Sequence, residues 1–329
     1  MDADLILAAL ALGFAASIGA HYTGACMGMP YALGLVSSRR ALLLMAPLAL
    51  LGAALASHAV EARVGTGLVQ HRLTVNDEIL VVALAFGLTA IYNRFRVPTS
   101  TIQLLVFSLV GVAWGSKAGV HWSAVGSLVL LWVLAPLVAV GLGFAVTRLL
   151  DWLRALRSDS SANQATHLWR IGGSALILIG LAASFAMGAN DVANATGALV
   201  GARVLAATPA GVFGGLGLAA GVLIWGKPLL GRVAFDIVRV DQAMAAAAQL
   251  VQAAVVLVAV GLGYFTSLNQ ALVGAMAGAG LARGRETVQT KVLLEILRGW
   301  VFGPASGLAL GFGISWLLAA GFGAHLLSP

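Results

Sequence analysis

The chain repeats itself, and this constrains its fold more than any other feature. Gly19-Ala20 returns 169 residues later as Gly188-Ala189, and Gln103 returns 167 later as Gln270. Trp132 and Pro136 return 168 residues on as Trp300 and Pro304, and Leu142-Gly143-Phe144 returns 168 on as Leu310-Gly311-Phe312. Shared Gly- and Leu-rich composition explains recurring glycines, but it does not keep Trp and Pro in register. The fold must therefore be assembled from two related units. A polar stretch, 151–169, separates them, so the expected organisation is a first repeat at 1–150, a linker at 151–169 and a second repeat at 170–329.

Each unit is a train of apolar segments. In the first they fall near 5–20, 24–37, 41–57, 79–94, 99–115 and 122–150. In the second they fall near 171–188, 192–206, 209–225, 243–263, 268–282 and 290–320. Only 9% of the 329 residues are charged and 60% are hydrophobic, whereas a soluble domain carries about 25% charged residues. Such a chain reads as an all-α polytopic membrane protein in contact with membrane lipid. The N-terminal Met1-Asp2-Ala3-Asp4 lacks the basic start of a signal peptide, so residues 5–20 read as the first membrane helix. Arg154 and Arg157 in the linker place it on the cytoplasmic side.

Several function classes fall away. The net charge of +7 is spread over loops, and no basic, aromatic-interleaved patch suggests nucleic acid. The lone Cys26 allows no internal disulfide and no Cys-rich metal site, and the six histidines are scattered. No nucleophile–base pair or metal cluster points to an intramembrane enzyme. Glu61 and Arg63 fall near a segment end and read as interfacial.

Two constellations carry chemistry. The first is Gly188-Ala189-Asn190-Asp191-Val192-Ala193-Asn194-Ala195. A carboxylate at bilayer depth is costly, and an intramembrane Asp is a functional-site hypothesis by default. On a helix, Asn190, Asp191 and Asn194 share one side. Small residues around them allow close approach, so the three form a candidate oxygen-rich site for Na⁺. The second is Val97-Pro98-Thr99-Ser100-Thr101-Ile102-Gln103, matched by Phe265-Thr266-Ser267-Leu268-Asn269-Gln270. Each reads as the start of a half-helix, with capping hydroxyls and amides and, in the first, a proline suited to the first turn. Two helix N-termini facing each other make an anion site. Its expected donors are Thr99, Ser100, Thr101, Gln103, Thr266, Ser267, Asn269 and Gln270. Simple capping within a bundle is the competing role for the same residues.

The run from Gly188 to Ala195 resembles, residue for residue, the signature of the inorganic phosphate transporter (PiT) family, and the resemblance extends over nearly the whole chain. It implies two inverted repeats with broken or re-entrant half-helices. It also implies a cation-coupled secondary transporter, a symporter importing inorganic phosphate, with no cofactor beyond Na⁺ or H⁺ as coupling ion. On family grounds a homodimer is an open option, and the expected location is a bacterial inner membrane. The paired hydroxyl segments resemble the family's anion-binding motifs, with Gln103 and Gln270 where a His is common and Leu268 where a second hydroxyl would stand. The first half departs from the signature: His21, Tyr22 and Ala25 stand where the second half has Asn190, Asp191 and Asn194. That departure, with Met27-Gly28-Met29-Pro30-Tyr31, looks similar to the related bacterial sulfate permeases, which makes sulfate the close alternative substrate. An uncoupled anion channel is the more distant one. His21 is a candidate proton-coupling group, because imidazole titrates near ~6.5.

Overall fold

The computed structural model describes residues 2–95, 99–156, 162–230 and 241–320, with the side chains of 62, 63, 65, 66 and 162–171 outside that description. The described residues are helices and their connections, with one isolated bridge between Val69 and Val120. The first half builds α1 (Ala3–His21), α2 (Thr23–Ala32), α3 (Ser38–Ala56), α4 (His58–Thr66), α5 (Val75–Phe95), α6 (Thr101–Gly115) and α7 (Trp122–Ala155). The second builds α8 (Ala162–Asp191), α9 (Ala193–Gly201), α10 (Ala207–Trp225), α11 (Lys227–Leu230), α12 (Gln242–Gly261), α13 (Leu268–Arg283) and α14 (Thr290–Ala319). Helix for helix, the second set follows the first.

Among the described residues, 8 stretches are long and apolar enough to cross a membrane. The chain is a multi-pass membrane protein. Helices α7 and α14 present rows of exposed apolar side chains, among them Leu130, Val133, Leu137, Val301, Phe302 and Trp316. Only lipid is a suitable solvent for such faces. The segments expected at 5–20 and 24–37 join into one apolar stretch, Ala3–Ala32, interrupted only at Tyr22. Their counterparts join as Gly172–Gly201, interrupted at Val192. At 15 and 16 residues, α6 and α13 are about 22–24 Å long, short of the ~30 Å hydrocarbon core. The polar stretch 151–169 is mostly helical where described, because α7 runs on to Ala155 and α8 begins at Ala162. Pro98 and Arg157 lie outside the described residues.

Glycine seams lock the two halves together in matched pairs. A methyl group on Gly19 would sit 2.1 Å from the Leu218 carbonyl oxygen, and one on Gly188 would sit 1.9 Å from that of Ala49. These contacts are copies of each other at the 169-residue spacing. Likewise, a methyl on Gly111 would meet the Leu308 carbonyl at 2.4 Å, and one on Gly278 would meet that of Val140 at 2.0 Å. Without a driving force from water, membrane helices associate through such close backbone contact. Helix α3 also packs on α10, its own counterpart, with Gly211 against Ala53 and Ser57 and Gly215 against Leu50 and Ala53. Contacts that move down one helix as they move up the other mark an antiparallel pair.

The structure corrects one expectation here. Glu61 is fully buried rather than interfacial, because α4 packs against α9 and α10 inside the protein. Its neighbour Arg63 has a side chain outside the described residues.

Candidate functional site

The helix breaks and the half-helix starts meet in one place. At Tyr22 (φ −92°, ψ 4°) the backbone leaves helical geometry between α1 and α2, and at Val192 a second interruption separates α8 from α9. Around these points the starts of α6 and α13 converge. Ser100 and Ser267 are their N-caps: the Ser100 hydroxyl oxygen accepts from the Gln103 N–H at 3.4 Å, and that of Ser267 from the Gln270 N–H at 3.3 Å. The two starts touch directly, since Gln103 Nε2 donates to Gln270 Oε1 at 3.4 Å. Asn269 Nδ2 donates to the Thr99 carbonyl at 2.8 Å.

Asn190 clamps the second break to the second start. Its Nδ2 donates to the Thr266 carbonyl at 2.8 Å, and its Oδ1 accepts from the Thr266 N–H at 3.1 Å. The amide thus pairs with both backbone groups of Thr266. His21 stands at the matching place in the first half, with Nε2 3.4 Å from the Thr99 carbonyl and 3.0 Å from Asn269 Nδ2. Its Nδ1 bonds to Asn93 Oδ1. Asn93 Nδ2 in turn donates to the Ser17 hydroxyl at 3.0 Å and the Ser17 carbonyl at 3.3 Å. With the Asn93 oxygen facing Nδ1 and the Asn269 amino group facing Nε2, the neutral Nδ1–H tautomer satisfies both ring nitrogens.

Asp191 and Asn194 lie across from Tyr22 and Thr101. Asn194 Nδ2 donates to Asp191 Oδ1 at 3.2 Å and to Thr101 Oγ1 at 2.9 Å, and the Tyr22 hydroxyl bonds Thr101 Oγ1 at 3.0 Å. Asp191, Asn190 and Thr101 are completely buried.

All eleven of the two groups' expected site residues, and His21 with them, are buried. Several have oxygens that no described group satisfies: Asp191 Oδ2, Asn194 Oδ1, Thr99 Oγ1, Thr266 Oγ1, Gln103 Oε1 and Asn269 Oδ1. Buried polar atoms are normally paired, so such a concentration needs an explanation. They divide by chemistry. Asp191 Oδ2 and Asn194 Oδ1 are pure acceptors and suit a hard cation. The threonine hydroxyls lie at two helix N-termini, where N–H groups and the helix dipole favour an anion. Asn190 and Thr101, by contrast, already have protein partners. Asn93 is a site residue that the sequence did not single out, and Tyr22 stood out there only as a departure from the second half. A polar side chain near the end of an apolar segment is the signal that marks Asn93.

The profile of the phosphate transporter family matches residues 18–173 and again 157–311, one match for each half. The sulfate permease CysP of Bacillus subtilis is 27% identical over 97% of this chain and 88% of its own length. The chloroplastic inorganic phosphate transporter 2-1 of Arabidopsis thaliana is 25% identical over 95% of this chain and 72% of its own. A solved structure of a sodium-dependent phosphate transporter superposes with a TM-score of 0.87 at 23% identity, covering 97% of this chain and 99% of that one.

Proposed function

We propose that this chain, which belongs to the phosphate transporter family, is a cation-coupled symporter. It takes a tetrahedral inorganic oxyanion, phosphate first, across a bacterial inner membrane. The single observation that carries the reading is the set of unsatisfied buried oxygens where two helix breaks meet two half-helix starts. In this reading Thr99, Thr266 and the first-turn N–H groups of α6 and α13 hold the anion, with Ser100, Ser267, Gln103, Asn269 and Gln270 around it. Gln103 Oε1 and Asn269 Oδ1 offer acceptors for the proton that phosphate carries at neutral pH. Asp191 and Asn194 hold Na⁺. Asn190 and His21 act as matched clamps that fix each break against the opposite start.

The two halves form an inverted pair. The antiparallel packing of α3 on its own counterpart α10 supports this, because copies related by an axis along the membrane normal run parallel. Inverted repeats place the site at their interface, near the midplane.

Sulfate is the second reading. The observation favouring it is the loss of the first-half carboxylate at Tyr22, together with the sulfate permease relative of nearly the same span. Uptake of labelled phosphate and sulfate into proteoliposomes, each in competition with the other and with Na⁺ and proton gradients imposed separately, decides between them. Phosphate uptake that a tenfold excess of sulfate leaves intact supports the first reading. Sulfate uptake that phosphate does not inhibit supports the second. Uptake of either that ignores both gradients contradicts coupling.

A further inference from the structure

Helix α4 carries a carboxyl group that the site does not use. Glu61 is 0% exposed. One oxygen, Oε1, lies 2.6 Å from Thr196 Oγ1, and the other has no partner among the described residues. The helices packed most closely on α4 are α9 and α10, and neither contains a titratable residue. On α4 itself, His58 is exposed, and the side chain of Arg63 lies outside the described residues. No described ion pair reaches Glu61. A bare carboxylate in such surroundings is strongly disfavoured.

The hydrogen bonds show how the group is accommodated. Thr196 has one hydroxyl proton and two acceptors, Glu61 Oε1 at 2.6 Å and the Val192 carbonyl at 2.9 Å. If Glu61 is a carboxylic acid, it donates to Thr196 Oγ1, and the Thr196 hydroxyl donates to Val192. If Glu61 is a carboxylate, it draws the Thr196 hydroxyl away from Val192 and stays buried with no cation beside it among the described residues. Val192 is the break itself, between Asp191 and Asn194. Protonation of Glu61 is therefore tied to the turn that carries the candidate cation site. The second half has Leu230 at the matching position, so this pairing has no counterpart at that place.

We propose that Glu61 is a proton-binding site that couples proton movement to passage of the anion. The proton is taken from water on one side of the membrane, held on Glu61 and returned to water on the other side. This rests on the transport reading above.

The test uses the full-length chain in proteoliposomes with labelled phosphate and sulfate, measuring both exchange at equal pH and uphill uptake driven by a proton gradient. In the wild type an acid outside should raise uphill uptake, and exchange should depend on pH. Glu61→Gln cannot release a proton. It should lower proton-driven accumulation at least tenfold and make exchange independent of pH. A Glu61→Gln protein with the wild-type response to the proton gradient overturns the proposal. So does a wild type driven by Na⁺ alone, which leaves the transport reading standing. A wild type with neither exchange nor uptake of either anion overturns the transport reading and Glu61's role with it. Thr196→Val provides an independent check should Glu61→Gln fail to fold. It should shift the pH of half-maximal uptake, and an unshifted profile contradicts the proposal.

Discussion

At the scale of single residues, the site separates groups with partners from groups without. Asp191→Asn should abolish cation-dependent uptake and leave the fold intact, because the amide fills the same buried space and only the charge is lost. Uptake with unchanged ion dependence, alongside unchanged thermal stability, would remove Asp191 from the cation site. The hydroxyls divide in the same way. Ser100 and Ser267 cap helices, so Ser→Ala there should cost about 0.5–2 kcal/mol of stability. Thr99 and Thr266 hydroxyls bond nothing among the described residues. Thr→Val at both should barely move the melting temperature and should weaken anion affinity. A hydrogen bond to a charged group is worth about 1.5–3 kcal/mol, so the half-saturation concentration should rise at least tenfold. An unchanged value would make these residues structural only.

At the scale of elements, the hairpin of α12 and α13 is anchored by charge as well as packing. Arg283, in the last turn of α13, bridges Asp151 of α7 and Asp241 before α12, each at 2.8 Å. Asp241 also caps α12, its Oδ1 accepting from Ala243 N–H at 2.8 Å and Met244 N–H at 2.9 Å. Both bridges are partly solvent-exposed, so each is worth at most about 1 kcal/mol. Asp241→Asn keeps the cap and loses the bridge, whereas Asp241→Ala loses both. The alanine protein should therefore melt lower than the asparagine protein, and equal melting temperatures would mean that the cap contributes nothing. The glycine seams are less forgiving. Gly188→Ala pushes a methyl against the α3 backbone at a distance no real contact shows, so α8 must move away from α3. Loss of folded protein in detergent is the expected outcome, and wild-type yield and stability would show that the seam gives way cheaply.

At the scale of the whole molecule, the inverted arrangement makes a topological claim. Lys117 follows α6, and Arg285 follows α13, at nearly the same place in each half. Both are exposed, while the native Cys26 is buried. Cysteines placed at 117 and 285 should react with an impermeant thiol reagent from opposite sides of the membrane. Reaction from the same side would mean that the halves are parallel copies.

Much of this was legible in the residues themselves. Apolar run lengths and the scarcity of charge dictate membrane helices, since a bilayer leaves the backbone few other ways to satisfy its hydrogen bonds. The repeated register of Trp, Pro and Gly dictates two matched halves, and the polar run at 188–195 marks where the first of the unusual side chains sits. What the sequence could not decide is which polar atoms are already spoken for. Asn190 pairs with Thr266, 76 residues away, and Glu61 with Thr196, 135 residues away. A hydrogen bond spans about 3 Å, and no spacing along the chain reveals which distant groups come that close. Asn190 therefore reads in sequence as an ion ligand, and only the fold shows that its amide also bonds the Thr266 backbone. Glu61 reads in sequence as interfacial and in the fold as a buried carboxyl group. Composition and periodicity assign a segment to the membrane, but only tertiary packing decides which of its polar atoms find partners and which are left for a ligand.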